Sequence, residues 1–106
     1  MATALGEKIQ KRRKEMGLTL EQLADLADSS KSYIWELENK NPPRPSAEKL
    51  SKIATQLGVT MEYLLDQNQN ITEADATDEM FFRKYRQMEP DVKNKIRKMI
   101  DLWDEE

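Results

Sequence analysis

Hydrogen-bonding side chains recur at helical spacing between residues 31 and 39. At about 100° per residue, Ile34 and Leu37 fall together on one side of a helix. The opposite side holds, over an arc of about 140°, Lys31, Ser32, Trp35, Glu36 and Asn39. A tryptophan within a polar face is unusual for a surface that touches only water. The chemistry that such a face can do is recognition by hydrogen bonds and stacking.

The composition excludes most catalytic and metal-binding chemistry. The 106 residues include no His and no Cys, so the usual zinc sites, disulfides and Ser-His or Cys-His nucleophiles cannot be built. The 20 acidic residues are scattered through a highly charged sequence, as on an ordinary solvated surface. No motif indicates a small-molecule ligand. We therefore predict that the protein is not an enzyme and has no metal site and no cofactor.

Hydropathy and charge limit the partners. No apolar run approaches the roughly 18 residues of a membrane-spanning helix, and Glu7 precedes any long apolar stretch, unlike in a secretory signal. We expect a cytoplasmic protein with no membrane partner. The net charge of −3 is uneven: residues 1–65 carry 10 basic and 9 acidic residues, and residues 66–106 carry 7 and 11. A surface that binds a polyanion must therefore be local and belong to the first part.

Capping signals divide residues 1–65 into five short helices. Thr19 and Gln22 have capping-box spacing, and three prolines between residues 42 and 45 forbid a helix there. The predicted boundaries are residue 4, Gly17, Thr19, Ser30, Asn39, Ser46, Gly58 and Thr60. Periodicity assigns Met16 and Leu26 to the buried faces of the first two helices and Ala47 to that of the fourth. We predict an all-α fold in which the second and third helices form a helix-turn-helix.

The rest of the chain is predicted to hold a polar linker at residues 66–78 and a helical hairpin at 79–106. Pro90 suits the first position of the last helix. The hairpin's apolar stripe is too large for two short helices to hide alone, which favours a homodimer interface formed by Phe81, Phe82, Tyr85, Ile96, Met99, Ile100 and Trp103. The alternative is that this stripe folds back onto the first part of the same chain.

The polar face of residues 31–39 fits the major groove of double-stranded DNA, which admits one helix. Lys31 can donate to guanine, Ser32 can bond either base type, and Glu36 can accept from cytosine N4. Trp35 can lie against thymine methyls or sugars. The alternative is that these are ordinary surface residues and that Trp35 packs on a neighbouring element.

Residues 5–65 resemble the Xre/Cro-type (phage-repressor-like) helix-turn-helix family. The resemblance rests on Leu18–Ala24, Ser30–Asn39 and Leu50–Leu65, and Lys31-Ser32-Tyr33 also resembles the recognition helix of SinR-type regulators. It implies a five-helix phage-repressor-like bundle followed by the helical hairpin. It assigns base contacts to Lys31, Ser32, Trp35 and Glu36, and DNA-backbone or flanking contacts to Tyr33 and Asn39. It also implies a structural pair, Arg13 with Glu38, tying the third helix to the first.

Some positions depart from the family pattern. Asp28 and Ser29 stand where the turn usually has a Gly and an apolar residue, and Leu20 replaces a polar residue near the phosphates. We therefore expect backbone contacts from Thr19 and Gln22 instead. Further phosphate contacts are expected after the third helix and at the start of the fourth, from Lys40, Asn41, Arg44 and Ser46.

These observations predict a sequence-specific transcriptional regulator, a repressor that binds a palindromic operator as a homodimer. One alternative is an antitoxin-type DNA-binding protein whose C-terminal helices bind a partner, either a toxin or a protein antagonist. Another is an interaction scaffold that uses the fold without DNA. Binding driven by phosphates would fall steeply with salt concentration, which separates the scaffold from the other two.

Overall fold

The computed structural model describes residues 3–104, and every regular element within that range is a helix. In chain order the helices are α1 (Ala4–Glu15), α2 (Leu20–Leu26), α3 (Lys31–Asn39), α4 (Ala47–Leu57), α5 (Met61–Leu65), α6 (Glu73–Arg86) and α7 (Pro90–Asp104). The all-α prediction is confirmed. None of these helices has both the length and the apolar character that a membrane crossing requires.

Capping interactions explain where the helices begin and end. Thr19 and Gln22 form a complete capping box at the start of α2, and the Ser30 hydroxyl accepts a hydrogen bond from the N–H of Tyr33 at the start of α3. Gly58 ends α4 with φ at 67°, a left-handed conformation that a residue without a Cβ adopts at little cost. Residues predicted from the sequence to cap helices therefore mark the starts of α2 and α3 and the end of α4.

The core lies inside α1–α5. Its largest fully buried apolar side chains are Ile9, Leu23, Ile34, Leu50, Ile53, Leu57, Leu64 and Val59. Three positions predicted to face inward are exposed, namely Met16, Leu26 and Ala47. The buried side of α2 is formed by Leu23, Ala24 and Ala27, and Leu26 lies about 100° from its centre, which leaves that side chain 52% exposed. Met16 follows the last residue of α1, and Ala47 is the first residue of α4.

A buried ion pair joins α1 to α3. The Nε and Nη2 atoms of Arg13 donate to the two carboxylate oxygens of Glu38 at 2.7 and 2.9 Å, and Nη1 donates to the carbonyl of Leu18 at 2.8 Å. Glu38 is 2% exposed. Next to this pair, Gly6 lets the two helices touch, because a Cβ there would collide with the Leu37 carbonyl.

The predicted linker is too long. α6 begins at Glu73 with Thr72 as its N-cap, so only residues 66–72 connect it to α5. The polar composition of this stretch indicated a loop, but Thr72 and the acidic residues Glu73 and Asp75 are the residues that favour a helix start. The division of the chain into separate domains at 1–65 and 79–106 stays a prediction.

The first half of α6 packs on the five-helix bundle. Ala76 is 1% exposed and belongs to the common core, with Ile71 packed against it. The Asp66 carboxylate accepts a hydrogen bond from the N–H of Ile71 at 2.8 Å, which lowers the pKa of that carboxyl. Lys11 and Glu73 form an ion pair at 3.3 Å. The helix that leads into the C-terminal hairpin is thus anchored to the bundle.

The second half of α6 and the whole of α7 leave much of their apolar surface exposed. α7 contains no buried residue. The exposed apolar side chains here include Phe81, Phe82, Val92, Met99, Ile100, Leu102 and Trp103. Within residues 3–104, the alternative considered above, in which this stripe folds back onto the bundle, is therefore not observed.

Replacing Glu38 with alanine is expected to lower the free energy of unfolding by about 3–5 kcal/mol, because the Arg13 guanidinium is left buried without its counter-charge. Urea denaturation followed by circular dichroism measures this loss. Glu48→Ala is the matched control, since Glu48 also lies within an ion pair but its side chain is 82% exposed, and its loss should cost under about 1 kcal/mol. Equal effects of the two variants would contradict a structural role for the Arg13–Glu38 pair.

Candidate nucleic-acid interface

A tight turn joins α2 to α3 and sets their relative orientation. Asp28 adopts the left-handed conformation with φ at 56°, which Asp tolerates better than most residues with a Cβ. The N–H of Ser29 donates to the carbonyl of Ala24 at 2.8 Å. Lys52 of α4 lies 3.4 Å from the Asp28 carboxylate. Asp28 thus occupies the position of the usual Gly in this turn, while the buried Ser29 hydroxyl has no hydrogen-bond partner among residues 3–104.

The two faces of α3 differ as the spacing predicts. Ile34, Leu37 and Glu38 are buried in the bundle. The opposite side presents a shallow depression lined by Lys31, Ser32, Trp35 and Glu36. The structure therefore brings all four predicted base-reading residues onto one exposed surface.

Trp35 is the largest side chain of this surface and is 44% exposed. Its backbone carbonyl accepts a hydrogen bond from the Asn39 side-chain amide at 3.0 Å. The ammonium of Lys40 lies 5.7 Å from the centre of its ring, within the range of a cation–π contact. Asn39 and Lys40, both predicted to contact the DNA backbone, therefore lie at the Trp35 end of the depression.

Tyr33 is half-buried, with its ring packed against the core and the Lys49 ammonium 4.3 Å from the ring centre. Burial raises the pKa of the Tyr33 hydroxyl, and the nearby Glu36 carboxylate raises it further. The phenol is therefore neutral at pH 7 and able to donate a hydrogen bond. This is the form suited to a phosphate oxygen.

Lys49 and Lys52 are cations that the sequence reasoning did not assign to the site. Both belong to α4, where periodicity indicates only that they point away from the buried face. The structure places Lys49 over Tyr33 and Lys52 against Asp28, so both lie beside the helix-turn-helix. No signal in the sequence fixes which side of α4 meets α3.

The remaining predicted backbone contacts lie at the ends of helices. The oxygens of Thr19 and Gln22 are used within the capping box, which leaves a hydroxyl proton and an amide NH₂ for an outside acceptor. Ser46 caps α4 by accepting from the N–H of Lys49. Asn41 and Arg44 are exposed in the loop between α3 and α4. Asn41 and Arg44 line a different cavity, together with Leu37 of α3.

The basic run at residues 11–14 is largely committed to internal contacts. Lys11 pairs with Glu15 and Glu73, and Arg12 donates to the carbonyl of Leu57 at 2.7 Å. Arg13 is bound to Glu38. Among residues 3–104, no group of three or more acidic side chains is arranged to hold a metal ion.

Comparisons with known proteins agree with this geometry. The helix-turn-helix family model HTH_3 matches residues 9–64, just over half of the chain. The transcriptional regulator SinR of Bacillus subtilis (strain 168) is 37% identical over 63 residues, which cover 59% of this chain and 57% of SinR. SinR of Bacillus licheniformis is 35% identical over the same length. The matched part is thus little more than half the length of these relatives.

Solved structures give the same relationship. A crystal structure of SinR, described as the master regulator for biofilm formation and solved in complex with DNA, superposes with a TM-score of 0.56 at 37% identity and covers 58% of this chain and 98% of that one. The SinR–SinI complex covers 96% of this chain and 99% of that one, with a TM-score of 0.58. At 22% identity, this second likeness concerns the fold alone. The chain belongs to the helix-turn-helix family HTH_3, of the Xre/Cro type that its sequence resembles.

Proposed function

We propose that this protein is a sequence-specific transcriptional repressor that binds a palindromic DNA operator as a homodimer, with α3 lying in the major groove. The observation that carries this proposal is the division of α3 into a buried side, anchored by Ile34, Leu37 and Glu38, and an exposed side formed by hydrogen-bonding residues around Trp35. The 37% identity to a SinR structure solved with DNA supports it.

The base-reading roles follow from chemistry. Lys31 and Ser32 occupy the first turn of α3, the part of a recognition helix that approaches base edges. Lys31 donates to guanine O6 or N7, Glu36 accepts from cytosine N4, and Ser32 bonds either base type. Trp35 supplies apolar contact with thymine methyls.

The surrounding groups hold the DNA backbone and supply most of the affinity. Lys40, Asn41 and Arg44 follow α3, and Ser46 opens α4, whose free N–H groups favour an anion. On the other side of the motif, Thr19 and Gln22 present donors at the start of α2. Tyr33, Asn39 and Lys49 complete the set, and these contacts fix the register of α3 without reading sequence.

The homodimer follows from the uncovered apolar stripe of α6 and α7, whose exposure within one chain includes Trp103 at 72%. Burying this stripe against a second copy removes it from water. The two helix-turn-helix motifs of such a dimer are related by a two-fold axis and therefore require a palindromic site. Its proposed members are Phe81, Phe82, Tyr85, Ile96, Met99, Ile100 and Trp103. Repression needs no more than tight occupancy of a promoter, which such a dimer provides.

Trp35→Ala is expected to reduce discrimination between operator and random DNA by about 10-fold, or ~1–2 kcal/mol. Fluorescence anisotropy with the two duplexes at one salt concentration measures it. Met16→Ala is the matched control, because Met16 is also a partly exposed apolar residue but lies at the end of α1. An unchanged unfolding midpoint shows that the fold is intact. Unchanged discrimination by the Trp35 variant would remove Trp35 from the reading surface.

Arg44→Ala is expected to weaken binding to operator and random DNA equally and to reduce the slope of log K against log[salt] by about 1, as loss of one phosphate contact does. Titrations between low and moderate salt give the slope. Lys14→Ala removes an equally exposed cation from the end of α1 and should leave the slope unchanged. A change confined to the operator would instead make Arg44 a base reader.

Footprinting on the DNA upstream of the protein's own gene is expected to show two protected half-sites on one face of the duplex. Their centres should be separated by roughly 10 bp or a multiple of it. A single protected half-site at saturating protein would contradict the homodimer, while leaving DNA binding by α3 in place. If no DNA site is protected, and if any DNA that the protein retains is retained independently of salt, the proposed function itself would be contradicted.

A further inference from the structure

Charge is segregated along the C-terminal hairpin. All seven basic residues of the segment 66–106 lie between residues 83 and 98, whereas acidic residues dominate on both sides. Within α7, Asp91 occupies the first turn, Lys93, Lys95, Arg97 and Lys98 follow it, and Asp101 and Asp104 occupy the last turn. After Asp91, the charge along the helix therefore changes from positive to negative, alongside one exposed apolar stripe.

The charges of α7 form no ion pair within the part of the chain that the structure describes. Among residues 3–104, every ion pair involves residues before position 84, and none includes a side chain of α7. Lys93 and Arg97 lie 5.7 and 5.8 Å from the centre of the Tyr85 ring, which accepts only a weak cation–π contact at an exposed site. The charges of α7 are therefore available to opposite charges on another molecule.

The helical wheel shows which charges flank the stripe. Ile96, Met99, Ile100 and Trp103 form the stripe, and Lys93 and Asp104 lie on the same flank, about 20° apart. Lys95 lies on the other flank. Lys93 and Asp104 are thus three turns apart along one edge of the apolar surface.

We infer that two copies associate with their α7 helices antiparallel, so that Lys93 of each copy meets Asp104 of the other. When two helices pack antiparallel, equal flanks face one another, and the positive half of one helix lies against the negative end of the other. A two-fold axis near residues 98–99 brings the stripes together and forms the Lys93–Asp104 pair twice. This inference rests on the homodimer of the proposed function and specifies its geometry.

The parallel arrangement is disfavoured by the same charges. In a parallel pair, opposite flanks meet at the same height, which places Lys93 beside Lys95 of the other copy and the acidic ends beside one another. Like charges at close range repel. A second copy is favoured over an unrelated partner because the pattern is self-complementary: one surface supplies both the stripe and both signs of charge.

Charge reversal tests the pairing in the full chain. Lys93→Glu and Asp104→Lys should each weaken dimerisation roughly 5-fold at low salt, because each breaks two exposed ion pairs. The double variant K93E/D104K restores the pair with reversed signs and should return to within about 2-fold of the native chain. Sedimentation equilibrium measures the dissociation constants. A tighter dimer for Lys93→Glu alone would indicate the parallel arrangement, and a double variant as weak as the singles would overturn the pairing.

Cysteine crosslinking gives a second measurement that does not depend on electrostatics, since the native chain has no Cys. Met99→Cys lies near the inferred axis and should form a disulfide-linked dimer on mild oxidation. Val92→Cys should not, because its two copies would be about 20 Å apart at 1.5 Å per residue, beyond the reach of a disulfide. Crosslinking of both variants overturns the antiparallel model. A native chain that is monomeric overturns the dimer, and DNA binding by the α3 surface is judged separately by the Trp35 variant.

Discussion

The bidentate ion pair between Arg13 and Glu38 is the interaction on which the orientation of α3, and of its exposed surface, depends. Glu38 lies on the buried side of α3, and its partner belongs to α1. A carboxylate that is 2% exposed is tolerated only if its charge is compensated and its oxygens accept hydrogen bonds. Arg13 provides both, and its remaining contact with the Leu18 carbonyl extends the restraint to the segment entering α2. One side chain thereby fixes both helices of the motif to α1.

Close packing between α1 and α3 also fixes the rotation of α3 about its own axis. Because Gly6 allows the backbone of α1 to touch that of α3 at Leu37, α3 cannot rotate about its axis without a collision or the loss of the ion pair. The consequence appears on the other side of the helix, where Trp35 and its polar neighbours must face outward. A recognition surface of hydrogen-bonding groups needs such preorganisation, since errors of about 1 Å are enough to misplace donors relative to base edges. The buried ion pair thus determines which residues of α3 are exposed.

Much of this arrangement is predictable from local sequence, and the limits have physical causes. Caps at Thr19, Ser30 and Gly58 are local interactions, so their residues predict the helix ends directly. The two faces of α3 follow from periodicity for the same reason. The contributions of Lys49 and Lys52 depend on how α4 is placed beside the helix-turn-helix, which no local pattern encodes. Composition alone does not predict the start of α6, because polar residues indicate exposure to solvent and do not distinguish a loop from an exposed helix.

The anchoring of α6 connects the two ends of the molecule. A continuous helix carries Ala76 in the core of the bundle and Phe81 and Phe82 in the exposed stripe, and ion pairs at Lys11–Glu73 and Arg83–Glu62 hold its sides. Any partner that binds the stripe is therefore held at a defined orientation relative to α3. If the partner is a second copy, the separation of the two α3 surfaces is set largely by helix packing, because only the short connection at residues 87–89 lies between α6 and α7. In the proposed homodimer on DNA, dimer geometry then selects operator spacing, and sequence preference at each half-site is a property of α3.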